Sequence, residues 1–178
     1  MKNYLSMLVV ACSCYLISCS NKSESGHSAA AQKNLDAMRA ITKSFETKDF
    51  SKLGDYIASD AVDHAGPNGD IKGLDNMKSE FEKMVADMNN QKTEIIKELA
   101  DDDYAMSWAR FTGEYKTDGA GHKAGDKFDM KGLEVAKFKD GKAVEHWTLM
   151  EPADVMKMMS SMPQPTMQGP ADSTKKKM

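Results

Sequence analysis

Two of the four histidines stand where an imidazole could do chemistry. His64 ends a short β-like segment, Ala61 to Ala65, and His146 follows an Asp-Gly pair by a few residues. Imidazole is the side chain whose unperturbed pKa lies near neutrality, so either could move a proton or hydrogen-bond a ligand carbonyl. Asp63 is the carboxylate placed in sequence to orient His64. The alternative for each imidazole is a structural role, satisfied by a backbone carbonyl or by Asp63. Glu134 and Glu145 offer a pair of carboxylates that invites comparison with glycosidase chemistry. Thiol chemistry is set aside, because the 3 cysteines are Cys12, Cys14 and Cys19. None remains in the body of the chain for a disulfide, a zinc thiolate or a nucleophile.

Fifteen methionines raise soft-metal binding, with Met156, Met159 and Met162 spaced three apart. Thioethers suit Cu(I), but that spacing is also one face of a short helix, and no histidine lies nearby in sequence. Gly119 to Gly125 links two strands and opens no helix, so it lacks the context of a dinucleotide-binding loop; His122 there is expected to be exposed. No metal site and no cofactor is assigned.

The stretch from Lys131 to Glu151 positions His146. Asp140-Gly141 predicts a two-residue type I′ hairpin turn. An uninterrupted ladder from that turn pairs Lys139 with Lys142, Val135 with His146, Leu133 with Thr148 and Glu134 with Trp147. Side chains alternate across a strand, so Leu133, Val135, His146, Thr148 and Met150 share one face, apolar with one imidazole and one hydroxyl. On this register Glu134 and Glu145 fall on the opposite face, beside Trp147. A three-residue turn with a bulge would change these partners.

The elements around it follow from periodicity. Leu35, Met38, Ile41 and Phe45 predict a helix from about Ala30 to Lys48. A short helix follows from Ser51, a candidate N-cap. Gly66-Pro67-Asn68-Gly69 breaks the chain, and Leu74, Met77, Phe81, Val85 and Met88 make a clean helical stripe. The period then drops toward two, giving strands at Thr93–Leu99, Tyr104–Tyr115, Lys127–Lys139 and Lys142–Met150. One more short helix is expected around Val155 to Met162. Helices gathered before a meander indicate an α+β domain.

With 178 residues, 40% hydrophobic and a net charge of −3, the chain is sized for one domain. A pI near 5.8 argues against nucleic-acid binding. Lys2, an apolar run to Ile17, and Leu16-Ile17-Ser18-Cys19 resemble the bacterial lipobox, whose cysteine is lipidated. The resemblance implies a signal peptide at 1–18, a lipid anchor on Cys19 and a flexible tether at 19–30. It also implies a cell-envelope location, and Ser20 resembles an outer-membrane sorting pattern, facing the periplasm or the surface. The domain proper is expected at 31–162, with a disordered tail at 163–178.

The order of these elements carries motifs of a known family: Phe45-Glu46-Thr47-Lys48-Asp49-Phe50, Val62-Asp63-His64, Ile71-Lys72-Gly73-Leu74, and Phe138 to Trp147. Together they resemble the SnoaL-like branch of the nuclear transport factor 2-like superfamily, from about Leu35 to Met150. The resemblance implies a cone, with three helices packed on a strongly curved antiparallel sheet around a cavity. In the polyketide-cyclase members the last strand reads H-W-D, with the Asp as general acid/base; Thr148 stands there in this chain. A threonine hydroxyl cannot take that role unaided.

The expected function is therefore binding of a small, mostly apolar molecule in a cavity lined by Leu133, Val135, His146, Thr148 and Met150. A second reading makes the chain an isomerase, hydratase or cyclase-type enzyme using His146, with His64, as acid/base. A third makes it a non-catalytic module that forms a homodimer through Trp147, Leu149 and Phe138.

Overall fold

The computed structural model describes residues 27–66, 68–119 and 121–161. The expectations for the signal peptide, for Cys19 and for the tail from Pro163 lie outside them. Helix α1 (Ala29–Thr47) begins on Ser28, whose hydroxyl accepts the Ala31 N–H, and ends on Lys48 in the left-handed region. The folded part thus reaches back past Ala31, because the helix needs its cap. A short α2 (Leu53–Tyr56) has Lys52, not Ser51, at its N-cap. It leads into β1 (Ile57–Asp63) and a two-residue β2 (Ile71–Lys72), and then α3 (Leu74–Ala86). The meander is β3 (Met88–Ala100), β4 (Tyr104–Tyr115), β5 (Lys127–Lys139) and β6 (Lys142–Met150), followed by α4 (Pro152–Ser161).

The six strands make one sheet in the order β2-β1-β6-β5-β4-β3. The pairing is antiparallel throughout except that β1 runs parallel to β6, which a helix-bearing crossover permits. This is the α+β architecture expected, a curved sheet with helices on its inner face. Leu35 and Met38 of α1 and Met77, Phe81 and Val85 of α3 bury against Ala105, Ala136 and Phe138 of the sheet. Phe45, Phe50 and Phe81 meet edge-on or tilted, with centroids 4.9–6.1 Å apart.

One local feature decides which residues face inward. Asp140 (φ 55°) and Gly141 (φ 78°) form the expected turn, and Lys139 does pair with Lys142. After Phe138↔Ala143, however, the ladder resumes at Lys137↔Glu145, leaving Val144 as the extra residue of a β-bulge. The pairing of β6 with β1 is irregular over the same stretch, between Ile57↔Ala143 and Val62↔Glu145. Beyond the bulge the partners are Ala136↔His146, Glu134↔Thr148 and Gly132↔Met150. An uninterrupted ladder is therefore wrong by one residue, and a slip of one exchanges the faces.

The consequence corrects several expectations at once. Leu133 and Val135 pair with Leu149 and Trp147 on the outer face, away from His146. Glu134 comes to the inner face. Phe138, expected on an outer dimerising surface, is buried in the core. The outer face instead presents Leu149 (58% exposed), Leu99 (55%) and Trp108 (41%) with Met106.

Candidate active site

Between the inner face of the sheet and helices α1 and α3 lies a cavity of about 710 Å³. Its middle is apolar, walled by Phe45, Phe81, Phe111, Phe128 and the methionines Met38, Met77, Met84 and Met130. That size and lining suit a small organic molecule. Among the residues toward α3 and the start of β3, Lys83, Gln91 and Lys92 add polar groups. Gln91 Oε1 is buried there and has no hydrogen-bond partner among the described residues.

A cluster of four polar side chains interrupts the apolar wall. His146 on β6 lies beside Asp63 on β1 because the two residues are register partners in the parallel pair. The His146 ring donates from Nδ1 to Asp63 Oδ1 at 3.0 Å and from Nε2 to Glu134 Oε2 at 2.7 Å. Ionised carboxylates only accept, so an imidazole with one on each nitrogen must carry both protons and be a cation. The electrostatics agree: burial pushes the imidazole down, but Asp63 and Glu134 outweigh it and raise its pKa to about 9. Burial likewise pushes the Asp63 carboxyl up, yet the hydrogen bond and charge of His146, with the Ala65 N–H at 2.9 Å, leave it below the usual range.

Glu134 lines the cavity together with Asp63, His146 and Thr148. Its Oε2 also accepts from Thr148 Oγ1 at 2.9 Å, so one carboxylate oxygen is fixed by two donors. Among the described residues its Oε1 makes no hydrogen bond, and it is the oxygen available to a bound molecule. The carboxylate that Thr148 lacks is thus present across the ladder, on β5, within bonding distance of the threonine hydroxyl.

The other sequence candidates divide. His146, Thr148 and Met150 line the cavity. Leu133 and Val135 do not, for the register reason given above. His64 turns to the opposite side of the sheet, where its ring stacks on Trp147 with centroids 5.0 Å apart. There it bonds Asp70 at 2.9 Å and approaches Glu145 at 3.6 Å. The two imidazoles do not converge, because adjacent strand residues such as Asp63 and His64 point to opposite faces. Asp63 therefore orients His146 rather than its neighbour. His122 is mostly covered rather than exposed, stacked on Tyr115 at 3.6 Å beside Asp87.

Glu134 was assigned from sequence to the wrong face of the sheet, and a signal for the right one existed. On β5 the odd positions carry Lys127, Asp129, Lys131, Leu133, Val135, Lys137 and Lys139, five of the seven charged, whereas the even positions carry Phe128, Met130, Gly132, Glu134, Ala136 and Phe138. The even parity is the core parity, and it includes Glu134.

The sequence pattern of the family described as SnoaL-like polyketide cyclase matches residues 35–159. No curated protein matches the chain. Among solved structures, TsrD from Streptomyces laurentii is similar at 14% identity and a TM-score of 0.63, over 74% of this chain and 97% of that one. A SnoaL-like polyketide cyclase from Agrobacterium tumefaciens superposes with a TM-score of 0.59 at 16% identity, over 71% of this chain and 97% of its own. An epoxide hydrolase of the LEH-like type from M. tuberculosis gives 0.58 at 13% identity, over 74% and 90%. At these identities the likeness establishes the fold.

Proposed function

The chain belongs to the SnoaL-like polyketide cyclase family, and from that premise we propose that it binds a small, mostly apolar molecule in the cavity and performs acid/base chemistry on it. Glu134 is the general base. Its Oε1 takes a proton from a carbon beside a carbonyl, while His146 and Thr148 hold Oε2 and fix the direction of attack. His146 is not the base, because both its nitrogens already carry protons and both are engaged. It supplies positive charge beside the carboxylate and keeps it in place. Isomerisation, dehydration and ring closure all begin with such a step, and hydration ends with its reverse.

The observation that supports this reading is the imidazolium held between Asp63 and Glu134 in the wall of a mostly apolar cavity. Its experiment uses 2-tetralone, a bicyclic ketone with acidic C–H bonds, in D2O. The protein accelerates deuterium exchange above the buffer rate, and Glu134→Gln lowers that acceleration about 100-fold or more. Equal exchange by the variant and the parent overturns the assignment.

We also place the mature protein at a bacterial membrane, on the evidence of the lipobox-like Leu16-Ile17-Ser18-Cys19. Two acyl chains give stable anchoring where one does not. Cys19→Ala then releases the protein to the soluble fraction; a variant that stays with the membrane contradicts the anchor. The exposed Leu99, Trp108 and Leu149 support pairing of two copies through the outer sheet face. In that case Leu149→Glu shifts the sedimentation of the protein to the monomer, and a parent that is already monomeric refutes it.

A further inference from the structure

Gly132 stands two residues before Glu134 on the inner face of β5, and nothing in the backbone calls for a glycine there. Its φ is outside the left-handed region that favours glycine. The ladders to β4 and β6 both run through it without a shift, at Ala109↔Gly132 and Gly132↔Met150, so it marks no bulge. Packing does not call for it either. A Cβ added to Gly132 would meet the Leu149 carbonyl oxygen at 3.5 Å, Phe111 Cε2 at 3.5 Å and Glu134 Oε1 at 3.9 Å, all ordinary van der Waals contacts. An alanine fits, yet the chain keeps a residue that weakens a strand interior.

What glycine leaves is space at the base. Gly132 lines the cavity, and the rows on either side of it form walls: Phe111 and Met130 on one, Glu134 and Thr148 on the other. Residues two apart on a strand are about 6.6 Å apart, so the gap between the walls has the thickness of one carbon or one flat ring. Of the two Glu134 oxygens it is Oε1 that borders the gap, while Oε2 is held by His146 and Thr148.

We infer that the gap over Gly132 is the subsite for the reacting carbon of the ligand, and that it selects an unsubstituted methylene beside a carbonyl, carried on a flat ring. The inference rests on Glu134 being the base. A carbon in the place of the missing Cβ is in contact with Oε1, and a small shift brings it to the separation of about 3–3.5 Å from which reaction proceeds. The C–H proton then passes to Oε1, the C–H bonding pair becomes a carbon–carbon double bond, and the carbonyl π pair moves to oxygen. Return of a proton to the same carbon reverses each of these shifts. A methyl group on that carbon holds it out of the gap and away from Oε1. Gly132 is thus a specificity-determining residue that acts through the side chain it lacks.

1-Tetralone and 2-methyl-1-tetralone test this, because each exchanges hydrogen at a single carbon, a methylene in the first and a methyl-bearing carbon in the second. In D2O the parent accelerates exchange of 1-tetralone over the buffer rate about 10-fold more, or better, than that of the methylated ketone. Gly132→Ala fills the gap, displaces the carbon by about 1 Å and lowers the acceleration for 1-tetralone about 100-fold. Its unfolding midpoint stays at or above that of the parent; a midpoint well below it assigns Gly132 to the bending of the sheet and overturns the subsite. Equal acceleration of the two ketones by the parent, or parent-like exchange of 1-tetralone by the alanine variant, also overturns it, and Glu134 stands as base wherever Glu134→Gln abolishes exchange. If the parent accelerates neither ketone the base assignment fails, and calorimetric binding of 1-tetralone decides the subsite alone. Binding about 10-fold weaker in Gly132→Ala then supports it; equal binding, or none by the parent, overturns it as well.

Discussion

Two histidines on opposite faces of one sheet have the same kind of company. His146 has Asp63 and Glu134; His64, one residue after Asp63, has Asp70 and Glu145, one residue before His146. In both, carboxylates raise the imidazole pKa. The surroundings separate them. The two rings are about equally exposed, 30% and 28%, but His146 faces the cavity and its partner Asp63 is only 6% exposed, so water competes poorly for that bond. Asp70 is exposed and Glu145 half-buried, Glu145 is shared with Lys137 at 2.8 Å, and the imidazole leans on Trp147. The pairing of ligand types recurs; the dielectric around it decides whether the charge can be used.

The largest contrast is expected from removing the carboxylate on each side. Asp63→Ala strips the His146 imidazolium of its deeply buried partner and costs about 3 kcal/mol in denaturant unfolding. Asp70→Ala, on the solvent face, leaves the unfolding midpoint where it was. Equal losses from the two variants would show that burial does not separate the sites.

A smaller effect comes from placing an aspartate at position 148. Thr148→Asp sets a second carboxylate against Glu134 Oε2, where the hydroxyl now lies at 2.9 Å. Two carboxylates that close share a proton, so the single variant loses activity and about 1–2 kcal/mol near neutral pH. Thr148→Asp with Glu134→Gln keeps one carboxylate and recovers part of both. Full activity in the single variant would mean that Thr148 does not hold Glu134.

The pH dependence of stability gives the most gradual difference. The folded-state pKa of His146, about 9, lies above its ordinary value of 6.5. Its contribution is fully present below the unfolded pKa and is lost as pH rises through the folded one. Asp63, held below the carboxylate range, contributes above its unfolded pKa and loses that as pH falls through its folded value. Stability therefore declines on the alkaline side between about pH 6.5 and 9, by about 2 kcal/mol or more. High salt leaves this decline in place and removes the part due to His64, because exposed pairs are screened.

Much of this was legible in the chain. The stripe from Leu74 to Val85, the Asp140-Gly141 turn and the four long strands all appear as local patterns, which neighbouring residues alone determine. His146 and Thr148 were placed in the cavity because alternation along β6 needs no partner strand. What escaped was the relation between strands. The bulge at Val144 arises where β6 must satisfy β5 on one side and β1 on the other, and no pattern within Lys142–Met150 announces it. Glu134 changed faces for that reason, carrying Leu133 and Val135 outward. Asp63 was given to His64, its neighbour in the chain; the sheet pairs it with His146, far away in sequence.

The most direct measurement is an NMR titration of the ring nitrogens of His146 and His64 in the same sample. The account predicts that His146 remains an imidazolium through pH 8 and loses its proton near pH 9. In Glu134→Gln it should titrate lower, while His64 is unmoved. A His146 ring that is neutral at pH 7, with one nitrogen unprotonated, would contradict the pairing with both carboxylates on which the assignment of Glu134 depends.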